Sequence, residues 1–340
     1  MSPLPFGPPV EPMLAKLQRE LPVGDGWLFE PKWDGFRSIV FKDGDDVYIQ
    51  SRDLKPFNRY FPEVAQMLGD ELPDRCVVDG EIVVAGPDGA LDFDTLQMRI
   101  HPAASRIRML SEKTPASFIA FDLLAEDDED LRSVPFAKRR HRLEAAMKRA
   151  ADPSRRRVRG TQILLTPQTD DPEEAEAWFD GLSHLGVEGV VAKRPDLDYR
   201  AGDRAMVKVK HVKTADCVVG GYRVSKSGRG IGSLLLGLYD DQGVLHFVGH
   251  TSSFKAHERI QIQEMLKPLE REESFGQGRT PGAPSRWTQR EDPWISVRPV
   301  LVCEVTFDKL QGDRFRHATT FVRWRKDRDP RSCTFDQIRR

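Results

Sequence analysis

The sequence predicts a protein of two mixed α and β domains, the second a small β-barrel, on three observations. The chain has 340 residues, 39% hydrophobic and 31% charged, enough for two cores of ordinary size. Its charge is unevenly placed: the net charge is −1, yet residues 1–211 hold 30 basic against 37 acidic side chains and residues 212–340 hold 22 against 16. The last third, beyond His211, is cut into about five short β-prone runs around a single helical stretch, the pattern of a small barrel.

Taken in order, residues 1–25 are rich in proline and lack periodicity, so they read as an extended arm, with order beginning at a strand near Trp27–Glu30. Phe36–Phe41 and Val47–Ser51 are β-prone runs joined by the turn-forming Lys42-Asp43-Gly44-Asp45-Asp46, which predicts a hairpin. Cys76–Val84 reads as a strand closed by Gly86-Pro87-Asp88-Gly89, and Ser117–Leu124 as another, followed by an acidic stretch, Glu126–Asp130, that reads as a solvated loop. Phe136–Ala150 and Pro172–Leu185 carry helical spacing, the second preceded by Thr169-Asp170-Asp171 as cap residues. Beyond Val207–Lys210 come Cys217–Tyr222, Ser233–Tyr239, Leu245–Val248 and Val300–Phe307 as strands and His257–Leu266 as the helix, while Glu272–Gln289 has the composition of a loop.

Several function classes are disfavoured. The four cysteines, Cys76, Cys217, Cys303 and Cys333, form no C-x-x-C pair, against a zinc module or a disulfide framework and in favour of a reducing compartment. No run of about 18 apolar residues is present and the N-terminus lacks the apolar stretch of a signal peptide, so the expectation is a cytoplasmic protein with no membrane partner. The whole-chain charge announces neither nucleic acid nor disorder; the basic C-terminal third is the part suited to a polyanion.

The chemistry concentrates at Glu30-Pro31-Lys32-Trp33-Asp34-Gly35-Phe36-Arg37, a lysine at a strand end followed by a turn-forming Asp-Gly. A lysine with a free-solution pKa of about 10.4 is a poor nucleophile unless burial or neighbouring cations lower that value, and a lone K-x-D-G is more often a turn with a solvated lysine. Further elements in fixed order change that balance: Ser51-Arg52, then Val77-Val78-Asp79-Gly80-Glu81-Ile82, then Phe118-Ile119-Ala120-Phe121-Asp122, then Val187-Glu188-Gly189-Val190-Val191-Ala192-Lys193, then Lys208-Val209-Lys210. Lys208 and Lys210, alternate residues of a strand, share a face, and two cations there can bind an anion.

This series resembles the covalent nucleotidyltransferase superfamily of ATP-dependent DNA ligases, RNA ligases and capping enzymes. Through EPKWDGFR, SRDLKPFNRYFPE, VVDGEIV, EGVVAKR and YRAGDRAMVKVK it is most similar to compact bacterial ligases of the actinobacterial ligase C type and to the ligase module of bacterial end-joining enzymes. The resemblance runs from about Pro12 to about Pro330. It implies an α+β fold: an adenylation (nucleotidyltransferase) domain of antiparallel β-sheets flanked by helices over residues 1–211, then an OB-fold β-barrel over residues 212–340.

It also implies roles. Lys32 is the nucleophile that attacks the α-phosphorus of ATP and becomes lysyl-AMP, and Lys208 and Lys210 hold the α-phosphate. Glu188 places a divalent metal, Mg²⁺ or Mn²⁺, against the phosphates, with Glu81 as a second carboxylate at the metal. Glu81 and Arg37 contact the ribose hydroxyls, Phe121 stacks on adenine, and Glu30 accepts from the adenine amino group. Arg52 and Arg204 grip phosphates of AMP and of the nick. Arg325 and Asp327, in Phe321–Arg328, match the motif that orients the pyrophosphate leaving group by folding over the active site. The sequence departs from the family pattern with Arg328 for a common lysine, Arg316-His317-Ala318 for a segment with a common proline, and Met206 for a common tryptophan.

The activity implied is that of a DNA ligase (ATP) sealing 5′-phosphate/3′-hydroxyl nicks in double-stranded DNA, in repair or end joining, with Lys226, Arg229, Arg286 and Arg290 as backbone contacts of the basic domain. Its short chain implies a monomer that depends on a Ku-type end-joining protein or a repair polymerase, in a bacterial, nucleoid-associated setting. Two alternatives remain open: an RNA ligase or GTP-dependent capping-type enzyme, and a non-catalytic OB-fold nucleic-acid binder. Retention of Lys32, Glu188, Lys208 and Lys210 together weighs against the binder. An NAD-dependent ligase is disfavoured, because its extra domain and cysteine zinc module have no counterpart here.

Overall fold

The apolar runs of the first 211 residues become two sheets. The computed structural model describes residues 4–150, 160–182, 185–210, 213–225, 227–276, 281 and 293–339, and the chain divides into two units, Met1–His211 and Val212–Arg340.

The first unit holds strands β1 (Ala15–Gln18), β2 (Leu28–Trp33), β3 (Phe36–Asp43), β4 (Asp46–Ser51), β5 (Arg75–Val83), β6 (Ser117–Glu126), β7 (Glu129–Asp130), β8 (Ile163–Leu165), β9 (Val187–Lys193) and β10 (Met206–Lys210). Its helices are α1 (Pro62–Glu71), α2 (Phe93–Met98), α3 (Ala104–Lys113), α4 (Phe136–Ala150) and α5 (Pro172–Gly181). The larger sheet has the order β4-β3-β5-β6-β7, antiparallel along this path, with β8 added parallel to β6. Both of its faces are covered: Ile39 and Phe41 enter one core with Val77, Leu124 and Phe136, and Val40 enters the other with Ile49, Val78 and Phe118. A strand buried on both faces reads as a continuous apolar run, which is why alternation is missing from β3. Helix α1 starts on Pro62, buries Val64, Met67 and Leu68 on one stripe and packs on β4, while α4 packs on β6.

The smaller sheet, β1-β10-β9-β2, is antiparallel except for the parallel pairing of β1 with β10. Here alternation is clear. Val207 and Val209 enter a core with Phe29, Val190 and Ala192, against which α5 packs, and the intervening Lys208 and Lys210 are half-buried on the opposite face.

The second unit holds β11 (Lys213–Val224), β12 (Ile231–Tyr239), β13 (Leu245–Thr251), β14 (Ile295–Ser296), β15 (Val302–Phe307), β16 (Leu310–Gln311), β17 (Arg314–Phe315) and β18 (Thr320–Trp324), with helices α6 (Ala256–Leu266) and α7 (Asp336–Arg339). The path β13-β12-β11-β15-β18 is antiparallel, with β14 paired to β11. A parallel bridge between Thr251 and Thr319 joins the end of β13 to the residue before β18, bringing the two edges together as a small barrel requires. Its core is one cluster that includes Val218, Leu234, Leu236, Val248, Val302 and Val305, and α6 packs on β12.

Three local expectations are corrected. Order starts before Trp27, because Ala15–Gln18 of the proline-rich arm pairs with β10. The acidic stretch is not all loop: Glu129 and Asp130 pair with Glu126 and Ala125, and Arg142 neutralises Glu126 and Glu129. Helices α1, α2 and α3 form where the sequence pattern predicts no element, and α5 ends at Gly181, short of Leu185. Most of Glu272–Gln289, with Lys226, Arg286 and Arg290, lies outside the described residues; Arg229 is described and exposed. Among the described residues no helix is long and apolar enough to cross a membrane.

Candidate active site

In the first unit the two sheets share a pocket. β2, β9 and β10 contribute Glu30, Lys32, Val191, Lys193 and Lys208; β3, β5 and β6 contribute Arg37, Glu81 and Phe121; Arg52 and Arg204 come from the segments after β4 and before β10. Eight of the residues singled out in the sequence therefore line one cavity: Glu30, Lys32, Arg37, Arg52, Glu81, Phe121, Arg204 and Lys208.

Lys32 sits next to the end of β2, where Asp34-Gly35 turns the chain into β3. A side chain at position 35 is not accommodated, since its Cβ would lie 2.3 Å from the Ile82 carbonyl oxygen. The Lys32 ammonium donates to Glu188 Oε2, and Lys210 reaches the same oxygen at 3.0 Å. Glu188 arrives there by a bulge: Pro31 pairs with Val190 and Trp33 with Val187, so Glu188 and Gly189 together oppose Lys32. Gly189 has φ +151°, and a Cβ on it would meet the Val209 carbonyl oxygen at 2.0 Å. Burial opposes charge on Glu188, but Lys32 and Lys210 outweigh it and hold the carboxyl well below the ordinary carboxylate range.

This end of the pocket is strongly cationic. Lys208 has its pKa lowered by partial burial and by Lys32, Lys210, Arg52 and Arg204. Arg52 and Arg204 are exposed, and neither is paired with a carboxylate among the described residues. The cluster suits the phosphates of a nucleotide.

The other end is internally paired. Arg37 grips Asp79 through Nε at 2.8 Å and Nη2 at 2.7 Å and stands 4.8 Å from the Phe121 ring centre. Burial works against its charge and the Asp79 contact more than offsets it, so its pKa is raised. Tyr199, with its pKa raised well above the usual phenol value by burial and by Asp79, stays protonated and donates to Asp79 Oδ2 at 2.7 Å. Phe121 is itself the extra residue of a bulge: Asp122 pairs with Asp79 and Ala120 with Gly80, leaving Phe121 unpaired between them. Glu30 is buried, accepting from Gln168 at 2.9 Å and from Lys193 at 2.7 Å, and the Lys193 ammonium also lies 5.0 Å from the Phe121 ring centre. Glu81, cross-strand from Arg37, has its carboxyl pushed up to about 7 by burial, against the pull of Lys32 and Arg37.

Arg325 and Asp327 belong to the second unit. Arg325 donates to Asp327 through Nε at 3.0 Å and Nη2 at 2.8 Å and to the Asp216 oxygens through Nη1 at 2.9 and 3.0 Å. Asp327 is held down to about 2, chiefly by the Arg325 hydrogen bonds. Lys193, Asp79, Tyr199 and Asp216 were missed as functional residues in the sequence. Lys193, Asp79 and Tyr199 lie inside quoted motifs without being singled out, and Asp216 has no local signal, since its partner Arg325 is far away in sequence.

A divalent metal fits modestly. Among the described residues no three His, Cys, Asp or Glu side chains form a ready cage. Mg²⁺ and its like need only one or two carboxylates when phosphates and water complete the shell, and Glu188 and Glu81 are of that kind.

A lysine at a strand end in a cationic pocket between two sheets, followed by a small barrel, is the arrangement of a nucleotidyltransferase. Residues 12–210 match the ATP dependent DNA ligase domain and residues 227–328 the ATP dependent DNA ligase C terminal region. The chain belongs to the ATP-dependent DNA ligases. It is 49% identical to DNA ligase C1 of Mycolicibacterium smegmatis, with 98% of this chain and 95% of that protein covered, and 48% identical to DNA ligase C of Mycobacterium tuberculosis, with 99% and 96% covered. Among solved structures it is similar to the ligase domain of M. tuberculosis LigD, 28% identical with a TM-score of 0.50 over 96% of this chain and 98% of that one. A mycobacterial DNA ligase D complexed with ATP matches with the same scores. The α+β architecture with a C-terminal OB fold, expected from the sequence, is that of this family.

Proposed function

We propose that this protein seals 5′-phosphate/3′-hydroxyl nicks in double-stranded DNA at the expense of ATP, through an AMP covalently held on Lys32. The observation that carries the reading is Lys32, which lines a pocket together with Lys208, Arg52 and Arg204 and is tied to Glu188, a carboxylate it shares with Lys210. A primary amine beside this much positive charge is suited to attack phosphorus in a bound triphosphate.

Lys32 gives up a proton, attacks the α-phosphorus and expels pyrophosphate. Lys208 and Lys210 take up negative charge on the α-phosphoryl oxygens as it develops, and Arg52 and Arg204 hold the neighbouring phosphates. The AMP then passes to the 5′-phosphate of the nick, regenerating Lys32, and the 3′-hydroxyl displaces AMP. Each transfer builds charge at one phosphorus, so one cationic cluster serves all three. Phe121 supplies a ring for the base, Glu30 an acceptor for its amino group, and Arg37 and Glu81 contacts for the ribose. A divalent metal, Mg²⁺ or Mn²⁺, held by Glu188 with Glu81 close by, would supply further charge neutralisation at the phosphates. Arg325 and Asp327 serve ATP activation.

The setting we propose is repair or end joining in the bacterial cytoplasm, by a monomer working with a Ku-type protein or a repair polymerase. End joining is favoured by a 31% identical match to the Multifunctional non-homologous end joining protein LigD of Mycobacterium bovis, over 89% of this chain and 37% of that longer protein.

The test incubates wild type and Lys32→Ala with labelled ATP or GTP and metal, weighs the denatured protein, and chases with nicked DNA. An AMP adduct lost in the variant and discharged onto the nick is the expected outcome. A GMP adduct, discharge onto RNA alone, or no adduct refutes the reading.

A further inference from the structure

Part of the pocket wall comes from a segment that precedes the lysine motif: Pro12, Leu14 and Ala15 line it. Three attachments fasten this wall to the rest of the unit. The fully buried Gln50 side chain donates to the Val10 carbonyl at 2.6 Å and accepts from its N–H at 2.9 Å. Leu14 is held by the backbone of Asp203 at 2.7 Å and of Met206 at 3.2 Å as β1 joins β10. Between these, the Met13 N–H donates to the Tyr199 hydroxyl at 3.0 Å, and that hydroxyl donates to Asp79 Oδ2 at 2.7 Å.

The third attachment differs in what it reaches. Asp79 is the carboxylate that holds Arg37 bidentately, and Arg37 lines the pocket beside Phe121. One buried hydroxyl therefore links a wall of the pocket to Arg37, accepting from Met13 and donating to the Asp79 oxygen that Arg37 also holds. Losing it would leave the Met13 N–H buried without its acceptor and Asp79 with Arg37 alone.

We propose that Tyr199 is a positioning residue for the nucleotide: its hydroxyl sets residues 12–15 and Arg37 in register with one another, so that ATP meets a preformed pocket. The inference rests on the ligase reading for the identity of the nucleotide and deepens it by assigning the wall and its fastening. Tyr199 touches no reacting atom, so its contribution belongs to ATP capture and not to the later transfers.

Tyr199→Phe keeps the ring and removes only the hydroxyl. In lysyl-AMP formation the full-length variant should show an ATP KM raised about tenfold, the size of one lost hydrogen bond to a charged group, with kcat unchanged. Sealing of a nick already carrying 5′-adenylate, which bypasses ATP, should proceed at the wild-type rate. Hydrogen exchange at the Met13 amide, read without turnover, should quicken in the variant, and in wild type should slow when ATP is added. An unchanged KM, an equal loss in both assays, or unaltered exchange at Met13 overturns the proposal. A wild-type protein that forms no adduct with ATP would instead count against the ligase reading, and the exchange of Met13 in the two proteins would still decide whether Tyr199 fastens the wall.

Discussion

Asp122→Asn tests how the pocket's rear is held. Asp122 and Arg139 are 2% and 0% exposed, and Arg139 makes four hydrogen bonds: Nε on Asp122 Oδ1 at 2.8 Å, Nη2 on Oδ2 at 2.9 Å, and Nη1 on the carbonyls of Val134 at 2.6 Å and Leu197 at 3.0 Å. The substitution removes the only formal negative charge these bonds offer and turns an amide N–H toward one of the guanidinium donors. An uncompensated buried charge of this kind costs about 3–5 kcal/mol. At about 2–4 °C per kcal/mol for a unit of this size, the melting transition of residues 1–211 should fall by about 6–20 °C. Differential scanning calorimetry is the assay, since two units need not unfold together. Because Phe121 adjoins Asp122 and Leu197 lies two residues from Tyr199, the variant should also bind ATP more weakly at temperatures where it remains folded. Replacing both partners, Asp122→Leu with Arg139→Met, should recover most of the lost stability, because an apolar pair needs no compensation. A fall below about 3 °C for the single variant, or a double variant no better than the single, would refute the argument that charge burial rather than packing is at stake.

Glu81 gives a pH test: its carboxyl is raised from 4.5 to about 7 by burial, which Lys32 and Arg37 only partly oppose. A carboxyl whose folded pKa exceeds its unfolded one weakens the fold as pH rises past the unfolded value, and the loss is complete above the folded one. Glu81→Gln should therefore match wild type in denaturation midpoint below about pH 4.5 and exceed it above about pH 7 while impairing ATP-dependent adenylation; an offset constant with pH would contradict this. Lys193→Met should release Glu30 Oε2, which Lys193 holds at 2.7 Å while Gln168 and Arg140 keep Oε1, and reduce the preference for ATP over GTP in adduct formation; an unaltered ratio would show that the pair does not read the base. Asp216→Asn should loosen Arg325, slow lysyl-AMP formation and spare sealing of a pre-adenylated nick, whereas equal slowing of both would place Asp216 outside ATP activation.

Much of the site was legible because it follows the strand period. Lys208 and Lys210 share a face by alternation, with Val207 and Val209 in the core between and behind them. The Asp-Gly after Lys32 announced its turn. The hairpin of β3 and β4 followed from its turn residues, and the barrel from its short, spaced strands. What escaped was set by distant contact. Helix α1 has an apolar stripe at Val64, Met67 and Leu68, but it is a single short stretch whose burial depends on β4. The proline-rich arm gives no local sign that Ala15–Gln18 will pair with a strand nearly two hundred residues later. Tyr199 reads as one aromatic among several until Met13 and Asp79 close on its hydroxyl.

The residues that ordinary strand alternation would misplace are instructive. Glu188 and Phe121 both sit where a strand carries one residue more than its neighbour, Glu188 opposite Lys32 and Phe121 between the pairs Asp79–Asp122 and Gly80–Ala120. In each case the extra residue breaks the ladder and re-aims a side chain, Glu188 onto the pocket-lining Lys32 and Phe121 into the pocket wall near Arg37 and Lys193. The two irregularities lie on different sheets and serve different ends of the cavity. Regular strands supply what must repeat, the lysines of one strand face, and bulges supply what must occur once. The glycine in Glu188-Gly189 is then a requirement of the bulge, since its φ and the Val209 carbonyl leave no room for a Cβ. The same motif that marks a family in sequence therefore has a mechanical reading: it is the spelling of a strand that must break its register at the one carboxylate shared by Lys32 and Lys210.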